Sequence, residues 1–200
     1  MIFQMIALAV LLAFYGCYFG KMFSQKKRGI QTDQIGKGKK GAVKFIEITM
    51  KIATIAVPIA EIISIALNAS RFSTGIRCAG SVIAVMGTAV FICSVVTMRD
   101  NWRAGVSETD KTELTTTGIY AISRNPAFLG FDLVYIGIAL MFFNWILYAV
   151  SAFAALMFHL QIVNVEEDFL LGAFGEAYLD YRNTVNRYVG RKRKRSIPHS

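Results

Sequence analysis

The chain has 200 residues, of which 54% are hydrophobic and 18% charged, with a net charge of +9 and a mean hydropathy of +0.46. A soluble domain of this length is less apolar and spreads its charges more evenly. Here the charges are bunched between long uncharged runs, the mark of membrane spans, and the length suits one compact domain. Cys17, Cys78 and Cys93 lie in apolar runs, form no C-x-x-C pair and have no His at ligand spacing. That pattern argues against a disulfide framework and against a metal site.

Ile2 to Gly20 is 19 residues without a charge. At 1.5 Å per residue it spans about 28 Å, enough for the hydrocarbon core of a bilayer. Its basic residues follow the apolar run, at Lys21, Lys26, Lys27 and Arg28, whereas a signal peptide carries them in front. An uncleaved span with its N-terminus outside is expected. Residues 21–42 are basic and glycine-rich, and Gly36, Gly38 and Gly41 match G-x-G-x-x-G. No buried strand precedes them, so the dinucleotide-binding pattern fails and a flexible, lipid-facing loop is expected.

A second span is predicted over 43–68. Glu47 and Lys51 are spaced to pair as i and i+4, Pro58 should kink the helix, and Glu61 should turn toward the bundle. A third span is predicted over 76–98, where Gly80 and Gly87 would let a neighbouring helix approach closely. Residues 99–124 are polar, with Trp102 and Tyr120 as interface aromatics. Asn125 to Val165 carries one formal charge, Asp132, in 41 residues. That is too long for one span and right for two, joined by a tight turn at Asn144-Trp145.

The expected fold is therefore all-α, a polytopic integral membrane protein of five transmembrane helices ending in a helical hairpin. Residues 1–98 supply three spans and a basic loop, and 99–200 supply the hairpin and a basic tail. The run Arg191 to Arg195 points to anionic membrane lipid, with nucleic acid the lesser alternative. With the N-terminus outside, nineteen Lys and Arg lie on the inner side and two, Arg71 and Arg77, on the outer. This bias places the loops at 21–44 and 99–124 and the C-terminus in the cytoplasm.

A hairpin turning near residue 144 brings residues 124–126 opposite residues 166–167, each about 30 Å from the turn. Arg124, Asn125, Pro126, Glu166 and Glu167 should therefore meet at the membrane surface. The unpaired N–H groups of the turn that begins at Pro126 suit an anionic group, and the two acids suit a cation or sugar hydroxyls. Solvated charges at helix ends are the plainer alternative. Asp132 and His159 should share a greater depth.

The stretch GIYAISRNPAFLG, Gly118 to Gly130, resembles the Gly-(Ile/Val)-Tyr-x-x-x-Arg-His-Pro-x-Tyr-x-Gly signature of the isoprenylcysteine carboxyl methyltransferase family. EEDFLLGAFGEAYLDYRNTVNR, Glu166 to Arg187, resembles that family's Glu-Glu…Phe-Gly-x-x-Tyr-x-x-Tyr block. Phospholipid N-methyltransferases share a similar arrangement. The resemblance covers residues 100–188 and implies an S-adenosylmethionine-dependent membrane methyltransferase acting on a lipophilic or prenylated acceptor. It implies a cofactor site made of Thr112, Glu113, Leu114, Thr115, Tyr120, Asn125, Pro126, Ala127, Phe128, Glu166 and Glu167. Asp132 and His159 are candidate proton handlers.

Three positions depart from the family. Asn125 replaces a His and cannot titrate near neutrality, and Phe128 replaces a Tyr. Ile162, one turn before Glu166, stands where carboxyl-methylating relatives carry an Arg that would suit an acceptor carboxylate. Amine N-methylation of a phospholipid, or a non-catalytic binding or assembly role on the same scaffold, stays open. Reporter fusions after Gln34, Asp110 and Ser196 are expected to report cytoplasm, and one after Ser70 the far side. Fusions at Asp110 and Ser196 reporting opposite faces would remove the hairpin.

Overall fold

A computed structural model describes residues 1–106 and 113–192. Six α-helices carry the fold: α1 (Ile2–Lys27), α2 (Gly41–Ala66), α3 (Thr74–Met98), α4 (Pro126–Met141), α5 (Trp145–Gln161) and α6 (Glu167–Thr184). The first three are each long and apolar enough to cross a membrane, as is the stretch beginning at α5, and α4 is a shorter apolar helix. Large apolar side chains stand exposed along α1 and α2, among them Leu12, Phe19, Ile55 and Ile59. Such a belt suits lipid rather than water. The predicted five-helix architecture and its turn at Asn144 are borne out. The Asn144 side chain caps α5 by accepting from the Leu147 N–H at 2.9 Å.

The closest helix pair is α3 against α4, and glycine makes it possible. Gly80 and Gly87 on α3 face Gly137 and Gly130 on α4, each pair spaced two helical turns apart. A Cβ built on Gly137 would lie 2.5 Å from the Ala84 nitrogen and 2.6 Å from the Gly80 oxygen. One on Gly87 would lie 2.7 Å from the Leu133 Cβ. Backbones this close gain dispersion contacts that larger residues would forbid. The glycines of α3 are legible as a close-approach face from the sequence, and α4 answers them with its own.

Below this contact an aromatic cluster joins four helices. Phe14 of α1 stacks near Phe91 of α3, with centroids 4.4 Å apart, and meets Phe131 of α4 edge-on at 4.7 Å. Phe158 of α5 lies 5.4 Å from Phe131. One core runs from Ala7 of α1 to Phe158 of α5, and a second, smaller cluster of Tyr178, Tyr181 and Val185 lies at α6 and the segment after it. Glu61 is fully buried on the bundle side of α2, as its place in an apolar run requires. The α2 helix continues through Pro58. Proline has no N–H to give the Thr54 carbonyl.

The basic segment after α1 differs from the expected flexible loop. Asp33 and Ala104 form a parallel bridge, through Gln34 N–H to Ala104 O at 2.9 Å and Ala104 N–H to Thr32 O at 3.0 Å. Gln25, fully buried, donates to the Trp102 carbonyl at 3.0 Å and accepts from the Thr32 hydroxyl at 2.6 Å. Buried polar groups need partners, and these fix the loop across the end of the bundle. Glu47 and Lys51 do not pair with each other. Glu47 accepts from the Gly36 N–H, and Lys51 reaches Asp33 Oδ2 at 2.6 Å. Trp102 and Tyr120 are buried rather than spread along a lipid interface: the Trp102 ring meets Tyr18 and Phe91 edge-on, with centroids 5.5 and 6.2 Å away, and Tyr181 of α6 covers Tyr120.

Gly137→Leu is expected to lower the melting temperature of the detergent-solubilised protein, since overpacking a tight contact costs about 1–3 kcal/mol or more. Gly16→Leu, where nothing lies within 4 Å of the added Cβ, is the control and should melt near wild type. Equal melting of the two variants would contradict the close packing of α3 on α4.

Candidate active site

At the end of the bundle that carries the polar loops, the chain turns sharply into α4. Pro126 opens that helix, where its missing N–H costs nothing. Asn125 precedes it, donating from its side chain to the Arg187 carbonyl at 3.1 Å. The Arg124 N–H donates to the Asn186 carbonyl at 3.1 Å, and the Gly190 N–H to that of Ile122 at 2.7 Å. The tail after α6 thus straps the Arg124-Asn125-Pro126 turn. The Tyr181 hydroxyl adds a bond of 2.7 Å to the Tyr120 carbonyl.

Charge locks the same junction. Glu167 takes Arg124 at 3.0 Å and Arg187 in a two-point contact at 2.7 and 3.0 Å. Paired N–H···O contacts of this kind fix geometry as well as charge. The hydrogen bond to Glu167 holds the Arg187 guanidinium above its usual pKa. Arg124 also donates to the Tyr178 hydroxyl at 2.7 Å. The hairpin therefore brings the two sequence blocks together as predicted, with Glu167 as their clamp.

Beside this clamp lies a cavity of 680 Å³. Its polar end is walled by Asn101, Arg103, Glu113, Leu114, Thr115, Tyr120, Arg124, Asn125 and Glu166, and Ala127 and Phe128 add the first turn of α4. Its other end runs between α1 and α2, past Tyr15, Phe19, Ile55, Ile59 and Ile62. Phe19 is 48% exposed and Ile55, Ile59 and Ile62 are 54–55% exposed, so the cavity opens sideways where lipid would lie. One chamber joins a polar mouth to an apolar side door.

Of the residues expected at the cofactor, Glu113, Leu114, Thr115, Tyr120, Asn125, Ala127, Phe128 and Glu166 all line the cavity. Thr112, like Arg193 to Arg195 of the basic tail, lies outside the described residues. Pro126 and Glu167 are one position off the wall, and their neighbours line it instead. A step of 100° around a helix explains both.

The same step moves Asp132 and His159 off the cavity, because Phe131 and Phe158 occupy its wall. His159 Nδ1 instead meets the Tyr188 hydroxyl at 2.7 Å, and Tyr188 lies within electrostatic reach of Asp132. The two residues share a neighbour, as the hairpin geometry requires, away from the reacting space. Ile162 is fully buried and does not line the cavity. It opens a single wide helical turn, Ile162–Glu166, that links α5 to α6 and turns Glu166 inward.

The N-terminal half enters the site as well. Asp33, Lys51, Tyr15 and Tyr18 line a cavity whose other wall belongs to residues 101–181. The visible signal for Lys51 was a charge placed within a predicted span.

The fold and the cavity define a polytopic membrane protein with one chamber that is polar at one end and apolar at the other. The phospholipid methyltransferase family model matches residues 76–177, from α3 into α6, and the chain belongs to that family. The protein-S-isoprenylcysteine O-methyltransferase of Saccharomyces cerevisiae is 35% identical over 72 residues, 36% of this chain and 30% of the relative. That of Rattus norvegicus is 31% identical over 114 residues, 56% of this chain and 40% of the relative. That of Dictyostelium discoideum is 29% identical over 108 residues, 53% of this chain and 46% of the relative. The chain thus matches less than half the length of each of these relatives.

Glu167→Ala would leave Arg124, 5% exposed at its side chain, without its counter-charge. Removing one partner of a buried pair costs about 3–5 kcal/mol, so a large fall in melting temperature is expected. Glu176→Ala, on the exposed face of α6, should melt near wild type. A Glu167→Ala protein as stable as wild type would show that the clamp does not hold the junction.

Proposed function

We propose that the chain is an S-adenosylmethionine-dependent methyltransferase that modifies a lipophilic acceptor at the cytoplasmic face of a membrane. The observation that carries this is one continuous cavity with a polar mouth and an opening between α1 and α2. The family membership supports the reaction class. The isoprenylcysteine relatives favour carboxyl methylation of a prenylated acceptor over amine methylation.

The residues at the polar end fit the cofactor. Arg124 lines the cavity, and its Nε is buried without a hydrogen-bond partner. An unmet buried donor of that kind suits a carboxylate. The free N–H groups at Ala127 and Phe128 begin α4 beside it and favour the same group. Glu166 supplies the negative charge that a sulfonium or an ammonium needs. Tyr120 and Phe128 offer ring faces to a base.

When bound, S-adenosylmethionine supplies a methyl group already activated by the positive sulfur. This chain's part is to position the acceptor oxygen or nitrogen and to exclude water. The buried aromatic wall of Phe91, Phe131 and Phe158 does the second. Asn125, held by the Arg187 carbonyl, fixes the α4 turn. Neither Asp132 nor His159 is given a step, since neither reaches the cavity. The basic tail from Arg191 onward would hold this face against anionic lipid.

Calorimetry with purified protein in detergent tests the assignment. Wild type should bind S-adenosylmethionine, and Glu166→Ala should bind it about 10- to 150-fold more weakly, the worth of a charge-assisted hydrogen bond. Equal affinity in a folded Glu166→Ala variant would remove Glu166 from the cofactor site.

A further inference from the structure

Lys51 is an unusual residue for its place. It lies ten positions into α2 from Gly41, about 15 Å along the helix, with Glu47 one turn before it and Ile55, Ile59 and Ile62 following it on the cavity side. A charge at such depth requires a partner and a reason. The partner is Asp33, whose Oδ2 lies 2.6 Å from Lys51 Nζ. Asp33 is itself fixed, through its bridge to Ala104 and through Oδ1, which accepts the Ile35 N–H at 3.2 Å. Asp33 takes one donor of an ammonium that has three. The Lys51 side chain is still 43% exposed, and it lines the cavity.

Below Lys51, α2 presents Ile55, Ile59 and Ile62 to the same cavity, one turn after another. From Lys51 to Ile62 this stripe is about 16 Å long. All three isoleucines are more than half exposed at the opening toward lipid. The stripe is thus an apolar track with one cation at its inner end.

The other cations around the cavity are committed. Arg124 is bound by Glu167 and Tyr178, its remaining buried donor Nε being the one assigned above to the cofactor's carboxylate, and Arg103 donates to the carbonyls of Asp100 and Trp102. Ile162 has no atom on the cavity wall. An anion leaving water for this chamber needs a compensating charge, and Lys51 is placed to give it.

Building on the methyltransferase assignment, we propose that Lys51, set by Asp33, binds the anionic group of the acceptor while the acceptor's hydrocarbon chain lies along Ile55, Ile59 and Ile62. Lys51 is then a specificity residue: it selects a single-chain lipophilic acid over its neutral counterpart.

The test uses N-acetyl-S-farnesylcysteine and its carboxamide as probes, with equilibrium binding measured on the full chain in detergent. Wild type is expected to bind the acid about tenfold or more tightly than the amide. Lys51→Met should lose that preference by weakening the acid alone, and Lys51→Arg should retain it. Equal binding of acid and amide by wild type, no binding of either, or an undiminished acid preference in Lys51→Met overturns the proposal. The wild-type comparison stands even where a variant fails to fold. S-adenosylmethionine titrated into the same wild-type preparation separates the two claims. Cofactor binding without acid preference removes only the role of Lys51, whereas absent cofactor binding removes the methyltransferase assignment.

Discussion

Glu167 holds two arginines that reach it from opposite directions along the chain. Arg124 arrives from the turn before α4, and Arg187 from the strap after α6. In water such pairs contribute little, but here Arg124 is nearly buried and the guanidinium of Arg187 meets both carboxylate oxygens. The polar end of the cavity is arranged around this clamp. It fixes which residue of each helix end faces inward, and so it places Asn125 and Glu166 on one chamber although 40 residues separate them.

Close packing of α3 on α4 sets the depth of that chamber. The four glycines at this contact draw the two helices together, and the space left open lies on the other side, between α1 and α2. The looser side is where apolar residues of α2 stand exposed. Gln25, Thr32 and Asp33 then close the polar end by tying the first loop to residues 102–104.

Much of this was legible in the sequence. Uncharged runs gave the spans, and Asn144-Trp145 marked the turn because a capping amide and an interface aromatic stand between two apolar runs. Equal path lengths from that turn were enough to bring residues 124–126 opposite 166–167. The family resemblance selected eight residues that do line the cavity, five of them within the two motif blocks. What stayed hidden depends on rotation and on distant partners. Adjacent residues such as Phe131 and Asp132, or Glu166 and Glu167, differ by 100° around a helix. Depth along the membrane does not say which of them faces inward. The pairing of Lys51 with Asp33 instead of Glu47 depends on a loop conformation that no local spacing encodes. The glycine-rich loop carries too little apolar pattern to show that it packs.

The central claim is that one cavity serves a polar methyl donor at its mouth and a lipid at its side. A structure of the protein with S-adenosylhomocysteine bound tests it most directly. The account predicts the ligand at the polar end, between Tyr120 and Glu166 and against the first turn of α4, with the channel between α1 and α2 left clear. A ligand bound anywhere else on the chain, or one that fills the channel between α1 and α2, would contradict it.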